Sequence, residues 1–169
     1  IIEIEPEARG VAALHVPESG IIDYKQVTNK LSELITFINP KSKILTSCKV
    51  LDVKKDYLIT TKGTINTHHS VFCGGLFSDR LAKKDNMNLD MKIVGFRGDY
   101  YYLNSQSKYK VKHLIYPVPN PEFPFLGVHL TRMTDGSIEC GPNAVFTFKR
   151  EGYGKLDFNF KDTFEALTF

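Results

Sequence analysis

The stretch FPFLGVHLTRMTDGSIECGPNAVFTF, residues 123–148, decides how the rest of the chain is read. Two runs rich in apolar residues, Phe123–Thr131 and Ser137–Phe148, flank Asp135-Gly136. An Asp-Gly pair between such runs signals a hairpin, because both residues tolerate the left-handed backbone of a tight turn. Just upstream, Ile93–Leu103 is rich in Tyr and Phe and reads as a strand, and His113–Val118 is a second candidate. With the hairpin these segments predict a mainly antiparallel sheet of about four strands.

Further toward the N-terminus the pattern changes, with a seam near 88–93. Ile1–Val16 reads as an extended segment, a turn at Glu5-Pro6-Glu7 and an apolar run from Val11 to Val16, closed by Pro17–Gly20. Asp23 stands three residues before Gln26, close to a capping box, and Val27, Leu31, Leu34, Ile35 and Ile38 follow at helical spacing until Asn39-Pro40. Lys43–Val53 reads as a strand with a break near Lys49, and Tyr57–Thr61 with Thr64–Thr67 as a hairpin across Lys62-Gly63. Ser70–Cys73 is a small apolar strand running into Gly74-Gly75, and Leu76–Lys84 a helix. A short helix is expected over Lys161–Leu167. The fold class is α+β, divided as 1–90 and 91–169.

Composition narrows the function classes. Hydrophobic residues make up 42% and charged residues 24%, and the net charge is only +3. With no run of five Lys/Arg, nothing favours nucleic acid as a partner. No apolar run approaches the roughly 20 residues that a membrane-spanning helix needs. Cys48, Cys73 and Cys140 lack metal-type spacing and read as buried free thiols in a reducing, cytoplasmic setting, with no metal expected. Ile1 opens the chain without Met in a strand-like stretch, so the chain reads as an excised piece.

Polar groups punctuate the apolar strands of the second half. In Gly127–Arg132, alternation puts His129 and Thr131 on one face, with Arg132 at the strand end. Arg97 interrupts another strand, His113 and Tyr116 lie on a third, and Asn143 follows Gly141-Pro142. A guanidinium can hold a carboxylate through two parallel hydrogen bonds, and an imidazole can take a proton near neutral pH. The set suits a small acidic substrate. Each residue also has a plainer use: most lone strand histidines are hydrogen-bonded structural groups, and most strand-end arginines are solvated. The Tyr100-Tyr101-Tyr102 run reads as core and surface rings. Gly74-Gly75 alone is no dinucleotide site, since no G-x-G-x-x-G turn is present.

The run His113-Leu114-Ile115-Tyr116-Pro117-Val118-Pro119-Asn120-Pro121 carries more than chemistry. Together with Phe123–Thr131, Asp135-Gly136-Ser137, Gly141-Pro142-Asn143-Ala144-Val145 and Lys149-Arg150-Glu151-Gly152-Tyr153, it resembles the L-2-hydroxyglutarate oxidase/dehydrogenase family. Ser19–Tyr24 and Phe96–Tyr100 extend the likeness, which covers about residues 1–155. That family sits among the FAD-dependent oxidases that resemble D-amino-acid and glycine oxidases.

The resemblance implies that 1–90 is part of a FAD-binding domain and 91–169 a substrate-binding domain built on an antiparallel sheet. It places Val50, Cys73, Gly74 and Gly75 near FAD. It implies oxidation of L-2-hydroxyglutarate to 2-oxoglutarate by the full-length protein, with oxygen or a quinone as electron acceptor. Peripheral attachment at the inner face of a membrane is compatible with it. In that frame His129 is the expected base, Arg97 and Arg132 the carboxylate ligands, and Tyr116, Asn143 and His113 substrate-orienting groups. Without the pyrophosphate-binding turn, this piece alone is expected to be inactive and flavin-free. The alternatives are a related flavoenzyme acting on an amino acid or glycerol 3-phosphate, and a non-enzymatic dicarboxylate-binding domain.

Overall fold

The computed structural model describes residues 1–122, 125 and 127–168. They gather into two compact units, each discontinuous in sequence: Ile1–Ile38 with Arg97–Val145, and Asn39–Phe96 with Phe146–Phe169. The chain passes between them at 38–39, 96–97 and 145–146, so neither is a continuous segment ending at 90. The architecture is α+β, helices with antiparallel sheets.

In the first unit, helix α1 spans Tyr24–Ile38. Asp23 starts it by accepting the Lys25 and Gln26 amides at 2.9 and 3.1 Å and the Gln26 side-chain amide at 3.0 Å, which satisfies donors that a helix start leaves open. Among the described residues its apolar positions are uncovered: Leu31, Leu34, Ile35 and Ile38 are exposed. The sheet of this unit comprises β4 (Phe96–Tyr102), β5 (His129–Arg132) and β6 (Ile138–Phe146) in the order β4-β6-β5. β5 and β6 pair antiparallel, His129 opposite Gly141 and Arg132 opposite Ile138. Their turn is the Asp-Gly one: Gly136 has φ +77°, and Asp135 accepts the Ser137 amide at 2.8 Å. Among the described residues of this unit, Ile138 and Val111 are the buried apolar ones.

The second unit holds β1 (Val50–Val53), β2 (Tyr57–Thr60) and β3 (Gly63–Asn66) as an antiparallel meander. A 3₁₀ turn, Gly75–Phe77, leads into α2 (Ser78–Lys84), and α3 (Phe160–Leu167) is capped by Asn159, whose side chain accepts the Asp162 amide. Two arginines bind these helices together. Arg150 donates to Asp79, and Arg80 donates to Asp162 and to Glu165.

Several expected strands are absent or shorter. Ser70–Cys73 forms none, and Val71 is exposed: a short apolar run has no strand identity without a partner. Of Lys43–Val53 only the last four residues pair, after Ser47 takes φ +52° and turns the chain. Ile1–Val16 forms turns and irregular backbone. His113–Val118 contributes one bridge, Ile115 to Leu130, because Pro117 and Pro119 carry no amide to extend it. Among the described residues the sheet therefore has three strands rather than about four. Within the expected strand Phe123–Thr131, Phe123, Pro124 and Leu126 lie outside the described residues, and among the described ones the paired strand is His129–Arg132.

Candidate functional site

The candidate site is built on β5. Its burial alternates, with His129 and Thr131 buried and Leu130 and Arg132 half-buried on the other side. The His129 Nδ1 lies 3.0 Å from the Gly127 carbonyl oxygen. A carbonyl can only accept, so Nδ1 is the donor, and in the neutral ring the lone pair is on Nε2. Among the described residues no hydrogen bond reaches Nε2. Gly127 makes room for Pro117: a Cβ there would stand 2.7 Å from Cγ of Pro117.

Neighbouring segments bring aromatic rings to the same face. Ile115 and Leu130 exchange both backbone hydrogen bonds at 2.9 Å, which sets Tyr116 beside His129. The Tyr116 ring stacks on the imidazole, with centroids 4.2 Å and planes 13° apart. From the other side, across β6, Tyr100 meets His129 edge-on at 6.4 Å. Tyr100 is 43% exposed, and partial desolvation, the nearby Glu139 carboxylate and Tyr116 raise its phenol above the ordinary value, so it stays protonated at neutral pH. Beside it, Tyr102 donates to Glu139 at 2.7 Å. The sequence reading missed Tyr100 as a partner of His129. The available signal was Gly141, a residue without a side chain, opposite His129.

The two arginines are not brought to this cluster. Arg132 points from the opposite face of β5, where it donates to the carbonyls of Lys108 (3.1 Å), Lys112 (3.2 Å) and Val111. It fastens the end of the 3₁₀ segment Ser105–Lys110 to the sheet. Arg97, by strand alternation, faces away from Tyr100 and donates to Asp99 through two nitrogens, at 2.5 and 3.2 Å. His113 is tethered by Glu5, which takes the His113 amide at 2.5 Å, the ring Nδ1 at 2.8 Å and the Lys112 amide at 3.0 Å. Burial pushes the Glu5 carboxyl upward, but these donors outweigh it and hold it below the ordinary glutamate range. Asn143 is exposed on β6.

The residues expected near a flavin lie in the second unit and divide by role. At Gly74 a Cβ would meet Cδ1 of Leu81 at 2.5 Å, so this glycine makes room for packing. At Gly75, φ is +51° and nothing lies within 4 Å of the Cβ position, leaving bare backbone beside the exposed Cys73. That surface fits close approach of a flat cofactor. Val50 is half-buried at the start of β1. The thiols depart from the reading as buried groups, with Cys73 exposed and Cys48 and Cys140 half-buried. Among the described residues, no His/Cys/Asp/Glu group of three or more is placed to hold a metal, and no helix is long and apolar enough to cross a membrane.

Comparison with known proteins adds what the geometry alone does not. A family model described as FAD dependent oxidoreductase matches residues 1–167. L-2-hydroxyglutarate dehydrogenase of Indibacter alkaliphilus is 45% identical, over 98% of this chain and 42% of its own length. The Escherichia coli K12 protein of that name is 42% identical over 98% of this chain and 40% of its own. The mitochondrial human one is 41% identical over 96% and 38%. The chain thus spans about two fifths of the length of these curated relatives.

Proposed function

The chain belongs to the family of FAD-dependent oxidoreductases, and on that basis we propose that the full-length protein oxidises L-2-hydroxyglutarate to 2-oxoglutarate, with His129 as the base. The names of the similar proteins supply the substrate. The observation that supports the residue assignment is the Nδ1 hydrogen bond of His129 to the Gly127 carbonyl, with the Tyr116 ring stacked on the imidazole and the Tyr100 ring edge-on to it.

FAD, held beside Val50 and the Cys73-Gly74-Gly75 backbone, would supply the redox chemistry as the hydride acceptor for C2, with oxygen or a quinone as the final electron acceptor. The chain's own part is proton handling and orientation. His129 Nε2 takes the C2 hydroxyl proton as the carbonyl forms, and Nδ1 stays hydrogen-bonded to Gly127, so the imidazole keeps its orientation throughout. The face of Tyr116 lies against the imidazolium produced, and an aromatic face favours an adjacent cation by about 0.5–1 kcal/mol. Asn143, exposed on β6, is assigned to orientation. The first unit, Ile1–Ile38 with Arg97–Val145, carries these groups and serves as the substrate side, while the second, through Val50 and the Cys73-Gly74-Gly75 backbone, serves the flavin. Arg97, Arg132 and His113 leave the proposed substrate contacts, since Asp99, three backbone carbonyls and Glu5 respectively engage them.

The test is the full-length, flavin-loaded enzyme assayed with L- and D-2-hydroxyglutarate, amino acids and glycerol 3-phosphate. Turnover of the L-hydroxy acid is expected. His129→Gln should lower kcat by about 10²–10⁴ with the flavin absorption band intact. An unchanged kcat and pH profile in that variant removes His129 as the base.

A further inference from the structure

We infer that Tyr100 is a positioning residue for His129, its ring seated in a trough left by two glycines on neighbouring strands. The inference rests on the reading of His129 as the base. A Cβ at Gly141 would stand 2.6 Å from Cδ1 and 2.9 Å from Cγ of Tyr100, and 2.9 Å from the Asp99 carbonyl oxygen. A Cβ at Gly98 would stand 3.2 Å from Cε2 of Tyr100 and 2.9 Å from Pro142 Cβ. Neither glycine has the left-handed backbone that calls for glycine. What their missing side chains provide is room, and the Tyr100 ring takes it at both positions.

The consequence is a row across the sheet. Tyr100 stands on β4, Gly141 on the middle strand β6, His129 on β5, and Tyr116 beyond it. With a side chain at position 141, Tyr100 does not reach His129. With none, the imidazole has a ring on each flank. The two flanks are held unequally. Tyr116 hangs next to one isolated bridge and precedes Pro117, whereas Tyr100 lies within a seven-residue strand of the sheet. Tyr100 is therefore the firmer wall, and it works through its ring rather than its hydroxyl. Rotation of the imidazole away from Gly127 would release the Nδ1 hydrogen bond and with it the orientation of Nε2.

Tyr100→Phe and Tyr100→Leu in the full-length, flavin-loaded enzyme test this, with Tyr100→Met in place of leucine should that variant misfold. Phenylalanine keeps the ring and should retain kcat. Leucine should lower kcat on the order of ten- to a hundredfold, with KM within about twofold. Nitrogen-15 NMR of labelled histidine should show the Nδ1–H tautomer of His129 kept in the Phe variant and lost to a mixture in the Leu variant. The inference is overturned if leucine leaves kcat and the tautomer unchanged, or if phenylalanine is as damaging as leucine. A dead His129→Gln beside a fully active Tyr100→Leu would sink the positioning role alone, whereas an active His129→Gln would remove the base itself.

Discussion

The Arg150 guanidinium donates to the Asp79 carboxylate with both side chains nearly out of reach of water, at 4% and 5% exposure. The Leu76 carbonyl takes a second bond from Arg150 at 3.1 Å, and Glu165 stands 3.6 Å from it. Arg80 supplies the second cation, shared between Asp162 and Glu165. Charges buried in this way hold one another, and removing one strands its partner.

Acid should therefore loosen this unit. Burial pushes Asp79 and Asp162 upward, but the arginines and backbone amides outweigh it and hold both below the ordinary aspartate value of 3.8. The Arg80 hydrogen bond similarly holds Glu165 below 4.5. Lowered carboxyl values contribute stability that is complete above the unfolded values, near pH 4 to 4.5, and lost as pH falls through the folded ones. Asp79→Asn should cost about 3 kcal/mol, and thermal unfolding of the full-length protein from pH 7 to 3 should show a shallower acid loss. An acid limb identical to that of the unchanged protein counts against the network.

Arg132 should matter for stability rather than for substrate. Its guanidinium spans three carbonyls around the end of one 3₁₀ segment, a task for a planar fork. Lysine offers one point charge in its place. Arg132→Lys is expected to lower stability by about 1–3 kcal/mol while KM for L-2-hydroxyglutarate stays within about twofold. A tenfold rise in KM at unchanged melting temperature would return Arg132 to the substrate carboxylate.

What the sequence discloses follows from how local each signal is. Helix α1 is written in its own spacing and its Asp23 start, and the turns at Lys62-Gly63 and Asp135-Gly136 in their own chemistry. His129 and Tyr116 stand out in the sequence as candidates, since each sits on a polar interruption of an apolar run. Which face each side chain takes was not. Alternation separates Arg97 from Tyr100 and Arg132 from His129, but only the strand order shows that Tyr100 and His129 share a face. Asp79 with Arg150 and Glu5 with His113 join positions 71 and 108 residues apart, and no periodicity encodes such pairs.

Glu5 offers the sharpest check on those distant contacts. Its carboxylate, 5% exposed, gathers the Lys112 and His113 amides and the His113 ring, so one side chain ties the first turn of the chain to the segment leading to Tyr116. Alanine there leaves two amides without an acceptor, and unsatisfied buried donors cost about 1–3 kcal/mol. Glutamine keeps one accepting oxygen and should lose less. Hydrogen exchange on the full-length protein is the direct measurement: the Lys112 and His113 amides should exchange faster in Glu5→Ala, and by a smaller factor in Glu5→Gln. Because Tyr116 stands three residues beyond His113, a loosened segment should also weaken the stacking on His129. Protection at those two amides that does not change in Glu5→Ala would detach Glu5, and with it His113, from the support of the site.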